Sequence, residues 1–171
     1  MKRVIPLLLV LASWTSAAFG ATYRSPDGAL QAKVFMPGLG HENRVSIQDI
    51  HEAVKAEADY TSDDGEHGLV VDRAAWSPDS QFFVFSTSSS GGHQAWQCAT
   101  FFFDRHDGKI HDLAEFLPPI ADPDFKIRAP SILTVAVWTP FRKNGIVDSI
   151  ILSISFNLRD LRRRPPEPSA P

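Results

Sequence analysis

Apolar and polar residues alternate along most of this chain with the period of two that belongs to a half-buried strand. Leu30, Ala32 and Val34 share one face of the segment Leu30 to Phe35, and Val45 and Ile47 share one face of Arg44 to Ile50. Further strand-like runs are Leu69 to Trp76, Phe82 to Thr87, Trp96 to Arg105, Lys109 to Leu113, Ile132 to Trp138 and Ser149 to Leu158. They are rich in Val, Ile, Phe, Thr and Trp, the residues that suit a pleated surface. One stretch follows another rule. In Ile50 to Tyr60, Ile50, Val54 and Ala58 fall four residues apart among alanines and glutamates, which predicts one short helix.

Turn clusters separate these runs: Ser25-Pro26-Asp27-Gly28, Ser77-Pro78-Asp79-Ser80, Ser88 to Gly92, Asp107-Gly108 and Lys143-Asn144-Gly145. In Ser-Pro-Asp-Gly, serine can hydrogen-bond the turn at its first position, proline presets φ at the second, and glycine suits the fourth. Asp107-Gly108 is a favoured two-residue hairpin turn. It would pair His106 with Lys109, Arg105 with Ile110 and Asp104 with His111. One face then carries Phe102, Asp104, His106, Lys109, His111 and Leu113. Asp104, His106 and His111 are a candidate metal-ligand set, since two imidazoles and a carboxylate suit zinc. Lys109 beside them opposes a bound cation.

Three places share a pattern of turn and following strand. They are Tyr23 to Gly28 before Leu30 to Phe35, Trp76 to Ser80 before Phe82 to Thr87, and Trp138-Thr139-Pro140 before Ser149 to Leu158. The middle unit runs from Ala75-Trp76-Ser77-Pro78-Asp79-Ser80 through the Ser88 to Gly92 loop and His93-Gln94-Ala95-Trp96. It continues into Phe101-Phe102-Phe103-Asp104 and ends at Asp107-Gly108-Lys109. It resembles a blade of the TolB-type, WD40-like β-propellers of bacterial envelope proteins, over about residues 75–113 and more faintly over 23–50 and 138–158. The resemblance implies antiparallel, blade-like sheets and a scaffold role. A closed propeller needs four to eight blades of four strands, and this chain has room for about three repeat units. The expectation is a mainly β fold of blade-like sheets, too short for a closed single-chain propeller, with at most one short helix. Open sheets leave edges that invite pairing with another chain.

The first residues have another character. Lys2 and Arg3 precede an apolar run from Val4 to Ala12, and Ala18-Phe19-Gly20 places small residues for a cut before Ala21. This is the three-part pattern of a secretory signal peptide. A spanning helix needs about 20 apolar residues, and this run has about half that. No second such stretch follows, so no integral membrane segment is expected after cleavage. The predicted organisation is a signal peptide at 1–20, a β domain at 21–158 and a Pro/Arg-rich disordered tail at 159–171, with a periplasmic or extracellular location. Losing Lys2 and Arg3 takes the net charge from −3 to about −5. A mildly acidic domain lacks the clustered positive charge that nucleic acid requires. The lone Cys98 cannot form an internal disulfide and reads as a buried, inert thiol.

Chemistry is sparse in the sequence. There is no Gly-x-Ser-x-Gly elbow, P-loop, dinucleotide fingerprint or His-Glu-x-x-His. The acidic run Ser62 to His67 fails as a calcium loop, because Tyr60 and Val71 fall where carboxylates are needed. Asp122 and Asp124 sit in a connection with Pro118, Pro119 and Pro123 and read as solvated carboxylates. No cofactor is expected. What remains points to a non-enzymatic binding module with an envelope or extracellular protein partner, and to self-association through sheet edges. Its candidate contact residues are Ser88, Ser89, Ser90, Gly91, Gly92, His93 and Trp96. Two other readings stay open. One is a small secreted hydrolase using His93, His106 or His111 with a carboxylate, and the other is a structural envelope protein.

Overall fold

The computed structural model describes residues 20–37, 41–92, 97–143 and 146–163, without the side chains of 142, 143, 146 and 147. The expected leader up to Phe19, the segment from His93 to Trp96, the Asn144-Gly145 turn and the tail from Arg164 onward lie outside them. The described chain folds into three antiparallel sheets, each a simple meander of consecutive strands. The first holds β1 (Gly20–Arg24), β2 (Leu30–Phe35), β3 (Arg44–Asp49) and β4 (Val54–Asp59). The second holds β5 (Leu69–Trp76), β6 (Phe82–Ser89), β7 (Thr100–Asp104) and β8 (Lys109–Asp112). The third holds β9 (Ile120–Arg128), β10 (Ile132–Lys143) and β11 (Ile146–Asn157), followed by a one-turn helix α1 (Leu158–Leu161). The fold is mainly β, as expected, and its three sheets do not close into a propeller.

The second sheet lies between the other two and is dry on both faces. Phe83, Phe85, Phe103 and Trp76 meet Leu30, Ala32, Val34, Val45 and Ile47 of the first sheet. From the opposite face, Phe82, Val84 and Phe102 meet Phe125, Leu133, Val135 and Val137 of the third. A strand buried on both faces cannot alternate, and Phe82 to Phe85 is accordingly four apolar residues in a row, all fully buried. Each such side chain contributes roughly 1.5–3 kcal/mol by leaving water. The aromatic rings meet tilted or stacked, with Phe85 and Phe101 stacked at 5.4 Å between centroids and Trp76 tilted on Phe83 at 5.2 Å.

The Ser-Pro-Asp turns of the first two sheets have the same hydrogen-bond network. Ser25 Oγ lies 2.7 Å from Asp27 Oδ1 and accepts from Leu30 N–H at 2.9 Å. Ser77 Oγ lies 2.6 Å from Asp79 Oδ1 and accepts from Phe82 N–H at 3.0 Å. The fourth residue is left-handed in both, Gly28 at φ 73° and Ser80 at φ 60°. The turns also clasp neighbouring sheets. Asp27 N–H donates to Ser80 Oγ at 3.0 Å, and Asp79 N–H donates to the Pro130 carbonyl at 3.2 Å. An arginine just past the third strand of the next sheet then reaches back to the turn carboxylate: Arg105 to Asp27 and Arg159 to Asp79.

Four expectations need correction. Ile50 to Tyr60 is not helical: it holds the β3–β4 turn and β4, where Ala56, Ala58 and Tyr60 face inward with period two. Alanine and glutamate carry helix propensity, but pairing along β3 overrides it. The third repeat does not begin at Trp138-Thr139-Pro140, which lies inside β10; the turn equivalent to Ser-Pro-Asp is at Ala129-Pro130-Ser131. Pro140 is tolerated there because it lies past the end of β9, where β10 has a ladder only with β11. The β7–β8 loop has four residues rather than two, so Asp104 pairs with Lys109 and Phe102 with His111. A hydrogen bond from Gly108 N–H to the Asp104 carbonyl at 2.9 Å closes it. The Pro-rich connection around Asp122 is β9, an edge strand whose register shift absorbs Pro123.

Replacing Phe83 by alanine leaves a hole between the first two sheets. The expected loss is about 3–5 kcal/mol, read as a lower denaturant midpoint at unchanged slope.

Candidate functional site

The expected loop Ser88 to Gly92 begins as strand, since Ser88 and Ser89 end β6 and pair with Val70 and Leu69, and it is tied down from beneath. Ser88 Oγ donates to Asp72 Oδ1 at 3.1 Å, and Ser90 Oγ donates to Glu42 Oε1 at 2.7 Å. Glu42 is buried just before β3 and also accepts from Ser62 Oγ at 2.7 Å and from the Ser62 and Gly68 N–H groups at 2.5 Å each. Burial pushes this carboxyl up, but its four donors outweigh that and hold it at about 2. Gly68 is obligatory here, because a Cβ would stand 2.2 Å from the Tyr60 carbonyl oxygen and 2.3 Å from Glu42 Cδ. The acidic run around Asp64 thus serves as a strap that Glu42 fastens. Sequence reading missed Glu42, whose only signal is a carboxylate placed directly before an apolar strand.

Beside this segment a hollow of about 530 Å³ opens between the second and third sheets. Ser88, Ser89, Cys98, Asp72, Asp122 and Pro123 line part of it. Cys98 is half-buried there, and burial together with the negative charges of Asp122 and Asp72 pushes its thiol up. That keeps the sulfur protonated near neutrality, the reverse of what an attacking thiolate needs. His93 and Trp96, the other two expected contact residues, are outside the described residues. Gly91 and Gly92 form an exposed turn, with Gly92 left-handed at φ 71°.

A second hollow, at the β7–β8 end of the middle sheet, is lined by Asp104, His106, Asp107, His111 and Arg162 with Phe102 and Phe116. The three expected metal ligands share this hollow, but each is engaged differently. Asp104 is buried, and Arg162 grips it with Nε and Nη2 at 2.6 Å each. The Arg162 guanidinium also lies 4.9 Å over the Phe82 ring, so it seals α1 onto the middle sheet. The Arg-rich stretch therefore begins as part of the body, with Leu158 and Leu161 buried. His111 stacks on Phe102 at 5.1 Å and places Nε2 2.8 Å from Asp107 Oδ2. His106 is joined to Asp104 only through its backbone N–H. Among the described residues no group of three His, Cys, Asp or Glu side chains is gathered to hold a metal ion. The His111–Asp107 pair has the geometry of a base and its orienting acid, but among the described residues no hydroxyl or thiol lines the hollow beside it.

The third candidate is an edge. β11 is the outermost strand of the third sheet and pairs with β10 along twelve residues without a register shift. In its middle, Ile150, Ile151 and Leu152 are 39, 54 and 43% exposed. Three apolar residues in succession break the period-two pattern, and that break is the signal sequence reading passed over. Three other edges are guarded. β4 carries Lys55, Glu57 and Asp59 and a register shift, β5 carries Asp72 and Arg73 and a register shift, and β9 carries Pro123. Charges, bulges and prolines are the usual protections of a strand edge, and the described middle of β11 has none between Ser149 and Asn157. No helix among the described residues is long and apolar enough to cross a membrane. No family model matches this chain, and no curated protein matches it.

Glu42 binds its proton far more weakly in the folded chain than at the ordinary 4.5. Its stabilising share is therefore complete above about pH 4.5 and is lost as pH falls to about 2. Glu42→Gln should lower the thermal midpoint by several degrees at neutral pH and flatten its descent across that window. A midpoint and slope equal to the parent's would remove the cradle from this account.

Proposed function

We propose that this chain is an exported, non-enzymatic interaction module that binds a protein partner by strand addition to β11. One observation carries the reading: a twelve-residue sheet edge without a register shift, uncharged from Ser149 to Asn157, with Ile150, Ile151 and Leu152 exposed. Main-chain hydrogen bonds supply affinity in this mode of recognition, and alternate side chains supply specificity. The body behind the edge suits a scaffold. Its middle sheet is dry on both faces, and its turns are clasped from sheet to sheet. The repeated Ser-Pro-Asp turn adds support to kinship with TolB-type blades.

The chemistry at the hollows favours binding over turnover. Cys98 is held as a thiol, and among the described residues no nucleophile lines the hollow of the His111–Asp107 pair. Export rests on the leader pattern of residues 1–20. The location this implies is the periplasm or the extracellular space.

The test is capture on immobilised protein from an envelope extract, with Ile151→Lys beside the parent. Ile151 is more than half exposed, so the variant should keep the parent's circular dichroism and melting. The parent should retain a partner chain, its own second copy included, and Ile151→Lys should lose it. Equal retention by both, or none by the parent, defeats the edge reading.

A further inference from the structure

Each of the first two sheets has four strands, and the third has three. In the first sheet β4 pairs with the outer side of β3, and in the second β8 pairs with the outer side of β7. β11 is the third strand of its own meander, and no strand among the described residues pairs with its outer side. The three third strands are equivalent by register, because Leu30 pairs with Asp49, Phe82 with Asp104 and Ile132 with Asn157. They end alike too: Asp49, Asp104 and Asn157 each accept from the N–H two residues on, at 2.8, 2.8 and 3.0 Å. The construction of the fold therefore reserves an antiparallel fourth-strand position beside β11.

The chain's own undescribed segments fit that position poorly. Residues 164–171 contain Pro165, Pro166 and Pro168, which have no N–H for a ladder. Residues 1–19 belong to the expected leader. The internal segments 38–40, 93–96 and 144–145 have far fewer residues than the twelve of β11.

The sequence of β11 itself fits. Around Ile151 it reads Ser149-Ile150-Ile151-Leu152-Ser153, which has the same chemical pattern in both directions. We propose that a second copy of this chain occupies the position, with β11 pairing antiparallel to the partner copy's β11 about a two-fold axis at Ile151. This proposal rests on the edge reading and names its partner. In that register Ile151 faces its own symmetry mate, Ile150 faces Leu152, and Ser149 faces Ser153. Like chemistry meets like on both faces, as a self-complementary two-fold contact requires. Asp148 falls opposite Ile154, so the charged residue at the edge of this pattern does not meet itself. The β10–β11 hairpin also runs past the core at this point. Ile150 and Leu152 share the face of the buried Val135 and Val137 by alternation, yet both are exposed, which leaves room for a second molecule. The product is one six-stranded sheet across two chains, in the order β9-β10-β11-β11-β10-β9.

The test uses protein expressed from the full sequence and followed by sedimentation at micromolar concentration. The expected mass is that of two chains, and Ile151→Lys, which sets two cations opposite each other, should weaken the dimer by about tenfold or more. Register is read by cross-linking in a Cys98→Ser background under a mild oxidant. Ile151→Cys should give a covalent dimer alone. Ser149→Cys should do so only when mixed with Ser153→Cys. A monomer at every concentration overturns the proposal, as does a dimer that Ile151→Lys leaves intact or a dimer that cross-links in another register. A monomer that still loses a captured envelope protein on Ile151→Lys overturns the second copy while leaving strand addition standing. Loss of neither mass nor capture overturns both.

Discussion

The middle sheet has no wet face, and the rest of the molecule is arranged around that fact. Phe83, Phe85 and Phe103 on one side and Phe82, Val84 and Phe102 on the other each need a cover, which the first and third sheets supply. The two outer sheets do not need covers of the same kind. The first turns Lys33, Arg44 and Glu57 to solvent and joins Lys33 to Glu52 and Arg44 to Glu57 and Asp59. Such exposed pairs contribute little stability, but they keep that face wet. The stack therefore ends there instead of recruiting another sheet.

The clasps between turns follow the same logic and stop at the same boundaries. Asp27 and Asp79 each find an arginine in the next sheet, Arg105 and Arg159. The corresponding turn of the third sheet holds Ala129 where an aspartate would be needed, and β3 is followed by Ile50 and His51 with no arginine. Neither end can extend the chain of ion pairs. The clasps stop at these two ends, whereas the outer side of β11 lies unpaired among the described residues. That contrast between ended clasps and an open edge is what makes an interaction module a better reading than a structural polymer built face to face.

Buried polar groups hold the connections where apolar packing is thin. Glu42 gathers donors from Ser62, Gly68 and Ser90, which belong to two different loops. Asp104 receives both arms of Arg162 and fastens the end of the described chain to the middle sheet. Each carboxylate meets several donors, and each would be costly to bury without them. The expected contact loop at Ser88 to Gly92 and the expected ligand Asp104 thus both hold structure together. An acidic or hydroxyl side chain looks the same in a sequence whether it serves a ligand or a neighbouring loop.

Period-two alternation, Ser-Pro-Asp turns and the all-apolar run at Phe82 to Phe85 are local properties, and from them the sequence alone determined a mainly β chain of antiparallel sheets. Strand identity failed where local preference and pairing disagree. Val54–Asp59 has helix-forming residues, but β3 offers it a ladder, and Ile120–Arg128 contains Pro123, which an edge strand with a register shift can absorb. Only the tertiary structure decided that His111 faces Asp107, that Asp104 belongs to Arg162, and that Ile150 to Leu152 lie on an edge that no described strand pairs. Those facts depend on which distant segments become neighbours, and hydrophobic packing between sheets sets that without leaving a mark on local spacing.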